Sequence, residues 1–377
     1  MGLDRISITN YRSLRELSLD LEKVTVLVGA NGSGKTNCYR ALGLVQAAAT
    51  GVLAGHFASE GGISGMAWAG FGKRRDEIRG VRIAVEASFD RFVYSFSCGV
   101  PIPNGPSLFS LDPEVKEEAL SVLVPGRKKP VPICTRKGHI VSIRDEHGAW
   151  FTPGDPLDPT ESVLVQLIDP ARYPELAVAR YALASWRFYH QFRTDPDSPL
   201  RQPGIAVRTP ILSHDGATLV ATLRTIMEMG EAEALEIAIT TAFPGCRLSV
   251  TPADGHRLVL HWQRPDLTRP LLASELSDGT LRFIALAAAL LTPRPPALLV
   301  LNEPEAGLHP NVIPALAGLI AQAATRGQVI VTTHLVPLAE AITAATGAAP
   351  TALILHQGAT MLADDLLPGG GRRIRLG

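Results

Sequence analysis

Val24-Thr25-Val26-Leu27-Val28-Gly29-Ala30-Asn31-Gly32-Ser33-Gly34-Lys35-Thr36 is the stretch that decides the fold. Its first five residues are a short β-branched apolar run, the composition of a buried strand. Gly29 to Thr36 fits G-x-x-x-x-G-K-[ST] at every fixed position. Asn37 to Ala49 carries helix formers and no proline, so a helix follows. Strand, glycine-rich loop and helix together let backbone N–H groups wrap a triphosphate, and the helix N-terminus adds partial positive charge. On this reading Gly29, Ala30, Asn31, Gly32, Ser33, Gly34 and Asn37 line the phosphates. Lys35 reaches the β- and γ-phosphates, and the Thr36 hydroxyl ligates Mg²⁺.

Composition narrows the partners. The 377 residues can form one large domain or two ordinary ones. With 36 basic and 36 acidic residues the formal net charge is zero. A strongly basic nucleic-acid coat is excluded, so any DNA contact must come from a local patch. Cys38, Cys98, Cys134 and Cys246 are too far apart in sequence for a zinc knuckle or a C-x-x-C pair. They read as reduced thiols of a cytoplasmic protein. Met1 to Asn10 is polar and strand-like, unlike a signal peptide. The apolar stretch Phe283 to Leu301 is broken by Thr292-Pro293-Arg294-Pro295-Pro296, too interrupted to span a membrane. The expectation is a soluble chain with no membrane partner and no long coiled coil.

Along the chain, Ile6–Asn10 and Leu17–Leu21 alternate as two strands about a turn at Arg12-Ser13. Gly51–Gly72 reads as a glycine-rich surface loop. Val81–Phe89 and Arg91–Cys98 alternate as a hairpin, and Pro101–Pro132 reads as irregular. Ile133–Ile143 predicts a hairpin with Lys137-Gly138 at its turn. Helical spacing marks Glu161–Ile168, Pro174–Phe188, Asp215–Met229 (with Asp215 as N-cap) and Glu231–Phe243. Arg247–Val250 and Arg257–Trp262 form another predicted hairpin. From Ser274 onward helix and strand alternate, which predicts a parallel sheet. The two ends of the chain then read as halves of one nucleotide-binding sheet, with the middle as an insertion.

The second half of the site lies in that last region. Ala297-Leu298-Leu299-Val300-Leu301-Asn302-Glu303-Pro304-Glu305 is an apolar run closed by polar residues. Side chains at the carboxyl end of such a strand point into the ligand crevice. A Walker B strand ends this way, usually with Asp then Glu. Here Asn302 replaces the first acid, and Glu303 stands where a general base orients the attacking water. Asn keeps an oxygen acceptor but lacks the charge that an Asp turns toward Mg²⁺. Leu276-Ser277-Asp278-Gly279 opens a helix: Ser277 caps it and Asp278 complements its dipole. Its place, about 240 residues after the glycine-rich loop and about 25 before Glu303, is also the order of an ABC signature. Val329 to Thr333 is a further strand, and His334 after it is either structural or the switch histidine that senses γ-phosphate.

Gly29–Thr36, Leu276–Gly279, Leu298–Glu303 and His334, in that order, resemble the ABC-type ATPases of the RecF/SMC/OLD group, close to the RecF-like branch. Ile6-Ser7-Ile8-Thr9-Asn10-Tyr11-Arg12-Ser13-Leu14 looks like that group's opening strand and turn. Glu303-Pro304-Glu305-Ala306-Gly307-Leu308-His309-Pro310 is similar to its segment after Walker B. The resemblance covers about 1–50 and 270–357. It implies an α/β P-loop head with a mixed or parallel sheet and an inserted α+β lobe. Residues 1–80 and 270–377 would be the core and 81–269 the lobe. It also implies ATP and Mg²⁺ as cofactors and a homodimer that sandwiches two ATP molecules. Ser277, Asp278 and Gly279 would then meet the γ-phosphate of the other subunit. Gln166 is either the glutamine that touches Mg²⁺ and water or a solvated helix residue. Such proteins act on DNA in repair, including double-strand breaks, or serve in phage defence. Lys73-Arg74-Arg75, Arg127-Lys128-Lys129 and Arg372-Arg373-Ile374-Arg375 are either phosphate contacts or solvated loops. The alternative to double-stranded DNA is a separately encoded effector protein.

Overall fold

The computed structural model describes residues 2–70, 80–101, 112–154 and 156–366. In chain order, β1 (Leu3–Tyr11), β2 (Leu14–Asp20) and β3 (Val24–Val28) lead into α1 (Lys35–Thr50). The short helices α2 (Leu53–Ser59) and α3 (Gly62–Met66) follow. Next come β4 (Arg82–Phe89), β5 (Phe92–Gly99), β6 (Glu114–Val122), β7 (Val131–Lys137), β8 (Ile140–Arg144) and β9 (Trp150–Phe151). Helices α4 (Val163–Gln166) and α5 (Pro174–Ala184) precede β10 (Arg187–Tyr189) and β11 (Gly204–Ile205). Helices α6 (Leu219–Met229) and α7 (Ala232–Ala242) precede β12 (Arg247–Ala253), β13 (Arg257–Gln263) and β14 (Leu271–Leu272). The last third alternates: α8 (Asp278–Leu290), β15 (Leu298–Asn302), α9 (Ile313–Arg326), β16 (Gln328–Thr333), α10 (Val336–Thr346), then β17 (Pro350–His356) and β18 (Ala359–Leu362).

Packing divides the chain into two units. The first takes the residues up to Glu22, Gly29–Trp186 and the residues from Ala352 on, and the second takes Lys23–Val28 and Arg187–Thr351. One boundary, between Trp186 and Arg187, falls inside the stretch 81–269.

The first unit is built on an eight-stranded antiparallel sheet in the order β2-β1-β4-β5-β6-β7-β8-β9. Ile6 lies opposite Leu19 and Ile8 opposite Leu17, and all four are buried, as period-2 alternation requires. Arg12 takes a positive φ of 48° at the turn between β1 and β2. Helix α1 packs against β1 and β4 of this sheet and against α5, and Ala41, Leu42, Val45 and Ala48 are among its buried residues. Cys38 is buried on α1, and burial pushes its thiol up to about 12, so it is an unreactive apolar filler. All four cysteines are free.

Three expectations fail in this unit. The Gly51–Gly72 loop contains α2 and α3, because Leu53 and Phe57, then Ile63 and Met66, are spaced to bury one helix face; residues 71 and 72 lie outside the described residues. Within Pro101–Pro132, β6 is a full strand paired with both β5 and β7. Its run of Lys116, Glu117 and Glu118 obscured the alternation. Helix α5 ends at Ala184, short of Phe188, because Arg187–Tyr189 is claimed by a parallel sheet.

In the second unit that sheet has the order β10-β15-β16-β3. Every residue of β15 and β16 is buried, as expected for parallel strands covered on both faces. Phe283 of α8 and Trp262 of β13 each pack edge-on to Phe243, at 5.5 and 5.2 Å between centroids. A small antiparallel sheet, β11-β13-β12 with β14 beside β13, completes the unit. Helix α6 starts at Leu219 rather than Asp215. Asp215 instead closes a turn upstream, accepting from Ala217 N and Ser213 Oγ. Among the described residues no helix is long and apolar enough to cross a membrane.

Glu118 on β6 is a buried acid of the first unit. It accepts from Tyr94 Oη at 2.7 Å, Ser162 Oγ at 2.6 Å and Val163 N at 3.0 Å. Burial pushes its carboxyl above the usual range. Arg136 lies 3.7 Å away, and its guanidinium also donates to the carbonyls of Gly138, Glu161 and Asp158. Arg136→Met strands a buried acid and three carbonyls. Equilibrium urea unfolding should show a loss of about 3–5 kcal/mol.

Candidate functional site

Gly34 precedes α1 with φ of 101°, a conformation that a Cβ would strain. That Cβ would also collide with Thr360 Oγ1. The first turn of α1 has no side-chain cap and no acidic residue, so its N–H groups and dipole are uncompensated by the chain itself. Lys35 is buried and its Nζ donates to Gly29 O at 2.7 Å and Ala30 O at 2.9 Å. Ser33 Oγ is buried with no hydrogen-bond partner, although a buried hydroxyl ordinarily has one. A glycine cradle, an uncapped helix end and an orphaned hydroxyl fit a phosphate. Thr36 is partly exposed in the first turn of α1, where its hydroxyl could reach a phosphate-bound cation.

The loop is braced by residues that the motif did not point to. Thr360 of β18 is fully buried. Its Oγ1 donates to Ser33 O at 2.9 Å and lies 2.7 Å from Ser13 Oγ, while Thr360 N donates to Ser13 O at 2.8 Å. Ser13 Oγ in turn accepts from Asn37 Nδ2 at 2.8 Å. The Asn37 side chain therefore serves the loop's support, which qualifies its expected place on the phosphates. No local sequence signal singles out a threonine so far downstream.

Gln166 is corrected by the structure. Its amide bonds Asp158 N, Asp158 O and Glu161 O within its own loop. The neighbouring Val165 packs at Gly51, beyond the far end of α1. At 1.5 Å per residue that is about 20 Å from Thr36, so Gln166 is no partner of the same Mg²⁺.

The second unit gathers the other motifs at the carboxyl ends of its parallel strands. Asn302 of β15 pairs with Thr332 of β16, and Thr333 of β16 pairs with Val28 of β3. Three strand ends are thus level, and the chain runs from Val28 directly into Gly29. Asn302 is fully buried: its Oδ1 accepts from Thr332 Oγ1 at 2.7 Å and its Nδ2 donates to His190 Nδ1 at 2.7 Å. Glu303 has φ of 50°, a strained backbone for a glutamate and the kind held at functional sites. His334 Nδ1 lies 3.7 Å from Glu303 Oε1 and 3.5 Å from Glu305 Oε1. The sequence pattern assigns no role to Glu305, two positions after Glu303. It is buried, Oε1 accepts from Thr333 Oγ1 at 2.5 Å and from His334 N at 3.3 Å, and Oε2 has no partner. It fixes the turn that presents His334.

At α8, Ser277 Oγ accepts from Thr280 N at 3.3 Å, the N-cap expected of it. Asp278 begins the helix and pairs with Arg201. A Cβ on Gly279 would stand 3.0 Å from Gly307 O, so a glycine there lets α8 approach the segment after Glu303. Among the described residues no cluster of three or more His, Cys, Asp or Glu could hold a metal.

A family model described as "AAA domain, putative AbiEii toxin, Type IV TA system" matches residues 141–339, more than half of the chain. The chain belongs to this AAA family. A second model, an AAA ATPase domain, matches residues 1–50 of this chain, where the glycine-rich loop lies. An SMC head, solved bound to the C-winged helix domain of ScpA, aligns with a TM-score of 0.52 at 15% identity, over 96% of this chain and 98% of that one. The SMC head domain from Thermotoga maritima aligns with a TM-score of 0.47 at 16% identity, over 96% and 98%. No curated protein matches the chain. The fold is that of an ABC-type, RecF/SMC-like P-loop head, α/β with several sheets.

Thr360→Val keeps shape but removes the bridge between Ser13 and Ser33. Titration with a fluorescent ATP analogue should give a five- to tenfold weaker affinity, about 1–1.4 kcal/mol, the scale of one hydrogen bond.

Proposed function

We propose that this AAA ATPase binds ATP with Mg²⁺, hydrolyses it slowly and closes as an ATP-sandwiched homodimer that acts on double-stranded DNA in repair or recombination. The observation that carries the nucleotide reading is the glycine cradle around the unpartnered Ser33 Oγ at the uncapped start of α1. We keep residues 1–80 and 270–377 as the ATPase core and 81–269 as the lobe of the same head, with β10 lent by the lobe to the core sheet.

Bound ATP supplies the anhydride to be cleaved, and bound Mg²⁺ screens the phosphate charge. Lys35 and the backbone N–H groups from Gly29 to Asn37 hold the phosphates. Thr36 and Asn302 would be the residues that hold Mg²⁺. Glu303 orients water and accepts its proton. His334, set by Glu305, senses the γ-phosphate, and Ser277, Asp278 and Gly279 act on the nucleotide of the second copy.

A second reading is an ATP-driven switch of a toxin or phage-defence system that acts on a protein partner. The matched family's description favours it, as does a net charge of zero. For DNA, Arg127-Lys128-Lys129 is exposed, while Lys73-Arg74-Arg75 and Arg372-Arg373-Ile374-Arg375 lie outside the described residues.

The test is steady-state hydrolysis with and without double-stranded DNA at low salt. At least tenfold stimulation that fades as salt rises is expected for the DNA reading; a rate indifferent to DNA moves the assignment to a protein partner. Glu303→Gln should bind ATP normally, lose turnover by at least a hundredfold and accumulate a dimer in light scattering. Normal turnover by that variant removes Glu303 as the base. Asn302→Asp should lower the Mg²⁺ concentration needed for half-maximal rate and raise the rate. No change in either would sink the assigned role of Asn302.

A further inference from the structure

The segment from His190 to Arg201 touches two motifs that lie far apart in sequence. At its start His190 Nδ1 accepts from Asn302 at the end of β15, at 2.7 Å. At its end the Arg201 guanidinium donates to Ser274 O at 3.0 Å and Leu276 O at 2.8 Å, and pairs with Asp278 Oδ1 at 2.7 Å. Arg201 Nε donates back to Thr194 O at 2.8 Å. The Arg201 side chain is only 11% exposed although its partner Asp278 is 60% exposed, and a single planar fork holds these bonds in one geometry.

The segment is itself stiff. Ser198 Oγ donates to Arg193 O at 2.6 Å and accepts from Leu200 N at 3.2 Å, and Leu200 is fully buried. Arg282 of α8 adds a cross-tie, donating to Thr194 Oγ1 and to Ala306 O, each at 3.4 Å. One short stretch of chain thereby fixes where the turn before α8 stands relative to the residues that follow β15.

We propose that Arg201 is a positioning residue that holds Ser277-Asp278-Gly279 in register with Asn302 and Glu303. This rests on the reading that Ser277 and Gly279 act on the second copy's nucleotide while Glu303 acts on the protomer's own. The segment His190–Arg201 then couples the two half-sites that one protomer contributes to different nucleotides. On this reading Arg201 acts only through Ser274, Leu276 and Asp278. Its loss should reduce turnover and leave nucleotide affinity alone.

The test uses the full-length chain with Arg201→Gln, and with Arg201→Lys as the milder variant should the first fold poorly. Five quantities are read for each: kcat and KM for ATP, affinity for a fluorescent ATP analogue, melting temperature, and amide hydrogen exchange without nucleotide. The expected result is a kcat at least tenfold lower, KM and affinity within twofold of the parent, and at least tenfold faster exchange confined to residues 274–281. Exchange at 274–281 equal to the parent in both variants overturns the proposal. So does a kcat that falls together with affinity and melting temperature, which marks a purely structural role. Absence of ATP binding by the parent protein is a failure of the ATPase reading, and the nucleotide-free exchange tells it apart from failure of the Arg201 contacts.

Discussion

The parallel register of β15, β16 and β3 is the constraint on which the site depends. Leu301 lies beside Val331 and Val331 beside Val26, so the apolar parts of the strands are level and their polar ends emerge together. Parallel strands buried on both faces have little freedom to slip, because a one-residue shift would carry Asn302 or Thr332 into apolar packing. The same register puts Thr333 beside Val28, and the next residue after each is one of those proposed for the site, His334 and Gly29. The chemistry at these positions is therefore fixed by packing several residues upstream of it.

Buried polar atoms divide into two kinds. Most are used up in support: Thr360 holds the backbone of Ser33, Asn302 lies between Thr332 and His190, and Glu118 is ringed by Tyr94, Ser162 and Arg136. These satisfied networks make local geometry unique. Others are left without partners in places where a ligand group would be welcome, Ser33 Oγ in the loop and Glu305 Oε2 beside His334. An unmet buried polar group costs about 1–3 kcal/mol, and such costs recur where structure serves binding rather than stability.

Much of the scaffold was legible because its signals are local. The run Val24–Val28, the loop to Thr36 and the helix after it are contiguous, and each follows its own periodicity or turn chemistry. The alternating elements after Ser274 were equally plain, as was Ser277 as an N-cap. The failures have physical causes. Charged residues on β6 hid a strand whose partners, β5 and β7, are what stabilise it. Glycines between Gly51 and Met66 hid two helices whose few apolar residues suffice once buried. Arg187–Tyr189 reads as the tail of a helix until β15 offers it a parallel edge.

By itself the sequence determined the α/β class, the phosphate loop and the order of the motifs, because backbone conformation and hydrophobic period are properties of neighbouring residues. Only the tertiary structure decided which side chains support them. Thr360 reaching Ser33, His190 reaching Asn302, Arg201 reaching Asp278 and Glu305 reaching Thr333 join positions from 28 to more than 300 residues apart. It also removed Gln166 from the site, since a residue's distance from Thr36 is set by the length of α1 and not by any feature of the residue itself. Hydrogen bonds between such distant positions leave no periodicity to read, because their geometry exists only after the sheets and helices have packed.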